Sequence, residues 1–103
     1  MSKRFQTIIN SEKPVLVDFY TDWCAPCKAM NPILKQVKDQ FKEDIKIIKV
    51  NVERYPFIAT EFGIKSIPTF IIFRKGSIEW RATGTQTFQE FNEGVSVSIN
   101  SSS

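Results

Sequence analysis

The sequence has no histidine, only two cysteines and no long apolar run; the longest strictly apolar stretch is Phe70–Phe73. A run of that length cannot cross a bilayer, so we expect no membrane partner. Basic residues outnumber acidic ones by 14 to 11, but they are scattered along the chain. Nucleic-acid binding domains concentrate such residues in a basic stripe, so we expect no nucleic-acid partner either.

Hydrophobic residues make up 42% of the 103 residues, and nine of the aromatic residues are Phe. That composition supports one folded core, and we predict a single domain over residues 1–103. Residues Met1–Thr7 are polar and lack the apolar segment of a signal peptide, which predicts a cytoplasmic protein. Two cysteines are too few for a disulfide-scaffolded secreted domain, and cytoplasmic disulfides are usually transient and catalytic.

Hydrophobic periodicity and turn residues predict eight elements in the order α-β-α-β-α-β-β-α. We expect a short first helix that ends before Pro14 and a last helix that begins with a Thr87–Glu90 capping box. The last helix should place Phe88, Phe91, Val95 and Ile99 on its inner face, although Gly94 weakens it. Between them we expect a long helix starting near Cys24 and kinked at Pro32, a short helix Tyr55–Phe62, and strands Val15–Tyr20, Ile45–Val52, Thr69–Arg74 and Ser77–Thr83.

This order of elements predicts an α/β sandwich around one mixed sheet. Val15–Tyr20 is apolar on both faces apart from Asp18, a pattern typical of a central strand covered by helices. The first two strands are joined through a helix, so they should be parallel. The last two should form an antiparallel hairpin across a tight turn at Lys75-Gly76.

Cys24-Ala25-Pro26-Cys27 lies where the first strand turns into a helix, and four interpretations of this motif compete. A zinc site needs three or four ligands, and the chain has no histidine or further cysteine to complete one. A two-thiolate copper(I) site remains possible on chemical grounds. A structural disulfide closing so short a loop stabilises little, roughly 2 kcal/mol. The fourth interpretation is a chance pair of core cysteines.

A redox role explains more of the motif than these alternatives do. Unpaired N–H groups at a helix start favour the thiolate of Cys24, and the thiolate is the nucleophile in disulfide exchange. Cys27, one helical turn deeper, is placed to attack the resulting mixed disulfide from within the same molecule.

Several separated segments resemble the thioredoxin family in order and spacing. Val15–Lys28 is similar to the family's active-site segment, Pro32 to the proline that kinks its helix, and Lys49–Val52 to its second-strand signature. Ile64–Phe70 is similar to the segment around the family's cis-proline, and Lys75-Gly76 and Gly84 also fall at family positions. The resemblance covers residues 5–91. It implies a thioredoxin-like three-layer sandwich, an α/β fold with a mixed sheet flanked by helices.

The sequence departs from the family pattern at three places. Ala25 stands where Gly is usual, and Tyr20 stands where Trp is usual. Only 14 residues precede Val15, which leaves room for one helix but not for the family's usual first strand. We therefore expect about four strands, with that first strand missing.

The resemblance also implies roles for individual residues. Cys24 would be the exposed attacking cysteine, Cys27 the buried resolving cysteine, Asp18 a buried carboxylate behind Cys27, and Lys49 the partner of that carboxylate. For Asp18 the residues alone leave a water-exposed strand edge equally open, and for Lys49 an exposed lysine. The implied substrate-binding residues are Trp23, Ala25, Pro26, Ile67, Pro68 and Gly84.

The function that the resemblance implies is reduction of protein disulfides, with a thioredoxin reductase as the electron donor and no cofactor beyond the redox-active disulfide. We expect a monomer, because no apolar stripe calls for a dimer. A thiol–disulfide oxidase or isomerase is the alternative within redox chemistry, although those relatives often place His between the cysteines. A binding module with no enzymatic activity, such as a copper carrier, is the alternative from another class.

Overall fold

The computed structural model describes residues 3–100. A single 3-10 turn, Lys42–Asp44, separates the third helix from the second strand. The elements in chain order are α1 (Lys3–Ile9), β1 (Val15–Tyr20), α2 (Ala25–Ala29), α3 (Asn31–Phe41), β2 (Lys46–Asn51), α4 (Pro56–Glu61), β3 (Thr69–Arg74), β4 (Ser77–Thr83) and α5 (Phe88–Asn100).

The four strands form one mixed sheet in the order β2-β1-β3-β4. β1 runs parallel to β2 and antiparallel to β3, and β3 and β4 form an antiparallel pair. The predicted α/β fold with a four-stranded mixed sheet is confirmed, and β1 lies in its interior as the apolar pattern indicated. Lys75 and Gly76 turn the hairpin with positive φ angles of 54° and 81°.

The alternating side chains of β1 enter two separate cores. Val15, Val17 and Phe19 pack on one face with α1 and α4, through Phe5, Ile9 and Ile58. Leu16 packs on the other face with the residues of α3 and α5. Because side chains in a strand alternate with a period of two, Asp18 and Tyr20 share the face of Leu16.

The helix after the Cys24–Cys27 motif differs from the expectation. We expected one helix kinked at Pro32, whereas the chain forms two helices, α2 and α3, which meet at Met30. Pro32 has no N–H to donate to the preceding turn, and its ring crowds that turn. It therefore sits in the first turn of a new helix, where the missing N–H costs nothing.

The predicted capping box begins α5. The Thr87 N–H donates to Glu90 Oε1 at 2.9 Å, and the Glu90 N–H donates to Thr87 Oγ1 at 3.1 Å. The inner face of α5 is formed by Phe91, Gly94, Val95 and Ser98, and the inclusion of Ile99 was wrong because its side chain is exposed. Each residue of an α-helix is rotated by about 100° around the helix axis from the one before it. The side chain of Ser98 therefore points in nearly the same direction as that of Phe91, whereas the side chain of Ile99 is rotated by about 80° from Phe91.

Gly94 occupies a position in α5 at which a side chain has no room. A Cβ built there would lie 2.6 Å from Cδ2 and 2.7 Å from Cε2 of the Trp80 ring. Trp80 is half-buried against α5 and forms a tilted ring contact with Phe91. The glycine that weakens the helix on propensity is therefore required by the packing of the sheet against the helix.

We predict that Gly94→Ala destabilises the protein by about 1–3 kcal/mol through overpacking. The same change at an open helix position would instead stabilise it by up to about 1 kcal/mol. The measurement is urea unfolding. Ser96→Ala, an exposed position of the same helix, is the control and should be close to neutral. In a Trp80→Leu background the penalty should shrink, and a penalty that persists there would contradict the Trp80 contact.

Candidate functional site

The two cysteines lie at the junction between β1 and α2. Cys24 is the residue that caps the N-terminus of α2, with extended backbone angles, and its Sγ accepts a hydrogen bond from the Cys27 N–H at 3.2 Å. The two residues form a disulfide, with their Cα atoms 5.3 Å apart. Pro26 sits in the first turn of α2 and offers the Cys24 sulfur no N–H donor.

The expected contrast between an exposed and a buried cysteine is small in this oxidised form. Cys24 is 5% exposed and Cys27 is 2% exposed, so Cys24 is the more accessible of the two but is itself buried. The disulfide and the Cys27 N–H hold the Cys24 sulfur against the first turn of α2, which limits its contact with solvent. The neighbouring Ala25 and Pro26 are exposed.

Trp23 forms an open aromatic surface beside the disulfide. It is 70% exposed, and its Nε1 donates a hydrogen bond to Glu53 Oε2 at 3.2 Å. This contact fixes the polar edge of the ring and leaves much of its apolar surface in solvent. Glu53 was not predicted. It follows β2 by two residues, and because parallel strands end at the same edge of a sheet, its position beside β1 could have been inferred.

The loop before β3 brings a second segment to this edge. Thr69 pairs with Phe19 in the antiparallel β1–β3 ladder, so Ile67 and Pro68 lie beside the end of β1 that leads to Cys24. The Ile67–Pro68 peptide bond is cis, as the family resemblance implied. The Pro68 carbonyl accepts a hydrogen bond from the Gly84 N–H at 2.8 Å. Within residues 3–100, neither backbone polar group of Ile67 is engaged by another group of the chain.

Asp18 is completely buried in β1, which excludes the alternative of a water-exposed strand edge. Neither carboxyl oxygen has a hydrogen-bond partner within residues 3–100. Burial disfavours the charged form and raises the pKa of Asp18 from its ordinary value of 3.8 to about 6, although the charge of Lys49 opposes this rise. Tyr20, which shares the face of β1 with Asp18, lines one cleft with Cys27, so Asp18 lies on the α2 side of the sheet.

Lys49 is the direct neighbour of Asp18 in the β1–β2 pairing, yet it does not hydrogen-bond to it. Its Nζ donates to Asn31 Oδ1 at 2.8 Å and lies 4.7 Å from the centre of the Tyr20 ring. Lys49 is exposed, as the alternative interpretation of this residue held. Lys49, Asn31 and Tyr20 line a cleft of about 270 Å³. The other residues that line this cleft are Thr21, Asp22, Cys27 and Lys28.

The Cys24–Cys27 disulfide gives this site a group that can be reduced to two thiols and formed again. No cluster of three or more His, Cys, Asp or Glu residues within residues 3–100 is placed to hold a metal ion. Over the same range, no helix is both long enough and apolar enough to cross a membrane.

The structure brings most of the sequence-predicted residues to one edge of the sheet. Asp18 and Lys49 lie beneath that edge, and Gly84, with a positive φ of 88°, approaches it through Pro68. Glu53 and Asn31 are the contributors that sequence reasoning missed. No pattern marks Asn31, because its direction is set by the unexpected helix break at Met30.

Comparison with known proteins supports this arrangement. The family model described as "Thioredoxin" matches residues 1–96. The chain is 40% identical over 94 residues to "Thioredoxin Y1, chloroplastic" of Arabidopsis thaliana, with 87% of this chain covered but only 55% of that protein. It is 38% identical over 94 residues to "Thioredoxin-like protein slr0233" of Synechocystis sp., with 91% of this chain and 90% of that protein covered.

A solved structure gives the same result for the fold. Mitochondrial thioredoxin 3 from Saccharomyces cerevisiae, in its oxidised form, superimposes with a TM-score of 0.82 at 28% identity. That match covers 90% of this chain and 86% of the yeast chain. The family model, the relatives and the Cys24–Cys27 disulfide therefore agree: the chain belongs to the thioredoxin family, which is a family of thiol–disulfide oxidoreductases.

Proposed function

We propose that this chain is a protein disulfide reductase that cycles between a Cys24–Cys27 dithiol and the disulfide. The observation that carries the proposal is the placement of Cys24 Sγ at the start of α2, where the Cys27 N–H donates to it. A donor aimed at the sulfur stabilises the thiolate, which is the reactive form in disulfide exchange.

The reaction transfers two electrons in two exchange steps. The Cys24 thiolate attacks one sulfur of a substrate disulfide, so that a Cys24–substrate bond forms and the other substrate sulfur leaves as a thiolate. The Cys27 thiolate then attacks Cys24 Sγ, forming the Cys24–Cys27 disulfide and releasing the second substrate sulfur. The substrate disulfide is reduced to two thiols, and the protein dithiol is oxidised.

Asp18 supplies the base for the second step. Cys27 must lose its proton before it attacks, and Asp18 lies on the same side of the sheet without a hydrogen-bond partner of its own within residues 3–100. A carboxyl with a pKa of about 6 is matched to proton exchange near neutral pH, unlike a carboxyl at its ordinary value. The proton would pass from the Cys27 thiol to the Asp18 carboxylate.

Substrate recognition relies on backbone and apolar surface rather than on charge. The unengaged peptide groups of Ile67 are suited to pair with an extended segment that carries the substrate disulfide, a form of strand addition. Trp23, Ala25 and Pro26 add an exposed surface beside the disulfide, and the Gly84 N–H holds the Pro68 carbonyl in place. This combination tolerates many sequences, which suits a general reductant.

The proposal extends to the partners and the compartment. The oxidised pair would be recharged by a thioredoxin reductase, and the protein would work as a monomer in the cytoplasm as a part of cell redox homeostasis. Both cysteines of the chain are in the redox pair, which suits a reducing compartment. A relative named "Thioredoxin Y1, chloroplastic" makes a chloroplast donor the alternative to test. Recharging of the purified protein by candidate reductases distinguishes these donors.

The roles of the two cysteines can be separated by substitution. We predict that Cys24→Ser abolishes reduction of a protein disulfide, because no nucleophile remains at the more accessible position. Cys27→Ser should attack but not resolve, and should accumulate a mixed disulfide with the substrate. Mass spectrometry of both variants after mixing with insulin measures the trapped species. Trapping by Cys24→Ser alone would reverse the assignment, and failure of the wild-type protein to turn over with dithiothreitol would favour a binding module.

Pro26 should keep the pair reducing, because it withholds an N–H donor from the Cys24 sulfur. We predict that Pro26→His lowers the pKa of Cys24 and makes the couple more oxidising by about 30 mV for each pH unit by which the pKa falls. Pro26→Ala is the matched control, since it restores the N–H without a charge, and it should give a smaller change of the same sign. Redox equilibrium with glutathione and thiolate absorbance give both quantities. A potential that moves the other way would contradict this role of Pro26.

Asp18→Asn should slow the resolving step, because the isosteric amide cannot accept the proton of Cys27. It should also change the pH dependence of stability. Between about pH 4 and pH 6 the folded wild-type protein keeps a proton that the unfolded chain loses, so its stability falls as the pH rises. Because burial raises the pKa of Asp18 from 3.8 to about 6, the free energy of unfolding should fall by on the order of 3 kcal/mol over this pH range. The Asp18→Asn variant should not show this fall. Urea unfolding from pH 3 to 8 and single-turnover kinetics test the two effects.

A further inference from the structure

We propose that Asn31 and Tyr20 are positioning residues that hold the ammonium of Lys49 away from Asp18 and so preserve Asp18 as a proton acceptor. The proposal rests on the proposed function, in which Asp18 receives the proton of Cys27. It assigns a role to two residues that touch neither the disulfide nor Asp18 through a hydrogen bond. Tyr20 is also a position at which the sequence departs from the family pattern.

The backbone alone would favour an ion pair between Lys49 and Asp18. The two residues are direct partners in the parallel β1–β2 ladder, where neighbouring strands are about 4.8 Å apart and paired side chains share a face. A lysine stem is long enough to bring its ammonium group to a carboxylate on the adjacent strand. Yet both Asp18 oxygens lack a hydrogen-bond partner within the described part of the chain.

The ammonium is held elsewhere by two contacts. Asn31, the first residue of α3, accepts a hydrogen bond from Lys49 Nζ through Oδ1 at 2.8 Å. The Tyr20 ring lies 4.7 Å from the same nitrogen, within the range of a cation–π interaction. Both contacts are in the cleft that Cys27 also lines, and Lys49 is exposed whereas Asp18 is completely buried. The lysine is therefore directed toward water instead of the buried carboxyl.

This direction matters for the basicity of Asp18. An opposite charge within about 4–6 Å of a carboxyl lowers its pKa by about 1–3 pH units. A direct contact with Lys49 would return the pKa of Asp18 toward its ordinary range, and the carboxylate would then hold a proton poorly at neutral pH. In the observed arrangement burial dominates, and Lys49 offsets it only in part.

Other ionisable groups near this face do not replace Lys49. α2 contributes Cys27 and Lys28, and the segment after β1 contributes Asp22, all of which line the same cleft. Lys28 and Asp22 are exposed, so solvent screens their charges. On the other side of β1, the residue of β3 that pairs with Asp18 is Phe70, and a phenylalanine side chain carries no charge. Among these charged residues, Lys49 is the one that pairs with Asp18 in the β1–β2 ladder.

The test is a direct titration of the Asp18 carboxyl by carbon-13 NMR in the oxidised protein without substrate. We expect Asn31→Ala to lower the pKa of Asp18 by about one pH unit, because Lys49 loses its acceptor and turns to the carboxylate. Lys49→Met should raise that pKa, and the Asn31→Ala/Lys49→Met double variant should match Lys49→Met. Asn31→Asp keeps an acceptor at the same place and should not lower the pKa.

Tyr20 offers a second matched pair of variants. Tyr20→Leu removes the ring and should lower the pKa of Asp18 in the same direction, whereas Tyr20→Phe keeps the ring face and should leave the pKa in place. Circular dichroism confirms that each variant is folded. A pKa of Asp18 that is unchanged or raised in Asn31→Ala would show that Lys49 goes to solvent, and would overturn the proposal.

The kinetic consequence is measured separately. The pH profile of mixed-disulfide resolution should move to lower pH in Asn31→Ala by the same amount as the pKa. A profile that stays in place while the pKa falls would overturn the role of the two residues in the reaction. Because the titration needs no substrate, a wild-type protein without reductase activity would contradict the proposed function but not the assignment of Lys49 to Asn31 and Tyr20.

Discussion

The burial of β1 on both faces is the constraint on which the rest of the structure depends. Its parallel pairing with β2 and antiparallel pairing with β3 bring three chain segments to one edge of the sheet. Cys24 follows β1, Glu53 follows β2, and Pro68 precedes β3, so residues distant in sequence meet there. The two hydrophobic cores hold this arrangement from both faces and leave the edge free for chemistry.

The same constraint creates the electrostatic problem of the site. Asp18 points into a face that also contains Leu16 and is completely buried. An isolated carboxylate is costly in such surroundings, and the group responds by holding its proton to a pKa of about 6. The buried carboxyl that weakens the fold above that pH is therefore the same group that we propose as the base for Cys27. Stability and chemistry are linked here through one proton.

Much of this fold could be predicted, because the informative residues act locally. The apolar pattern of Val15–Tyr20, the Thr87–Glu90 capping box and the turn at Lys75-Gly76 each depend on residues close in sequence, and each was located correctly. The errors arose where packing decides. Pro32 starts a new helix instead of kinking one, and Ile99 faces solvent because the rotation of α5 is set by Phe91 and Gly94 against Trp80.

The site shows the same division. The cysteine pair, Trp23 and Asp18 could be identified from the motif and its strand, whereas Asn31 and Glu53 could not be assigned roles without knowing which side chains they face. The expectation that Lys49 is the partner of Asp18 located the right residue but not its contact. Lys49 pairs with Asp18 through the backbone, and its ammonium group binds Asn31 instead.

Two prolines determine how the helices present these groups. Pro26 lies in the first turn of α2, where the Cys24 sulfur caps the helix by accepting a hydrogen bond from the Cys27 N–H. Pro32 lies in the first turn of α3, so the helix is interrupted at Met30 and Asn31 becomes the first residue of a new helix, where it reaches Lys49.

Met30, at this interruption, also contacts the segment after Gly84. Its Sδ accepts a hydrogen bond from the Gln86 N–H at 3.4 Å. The Gly84 N–H in turn donates to the Pro68 carbonyl, so the helix break is connected through the Met30 side chain and the segment 84–86 to the loop before β3.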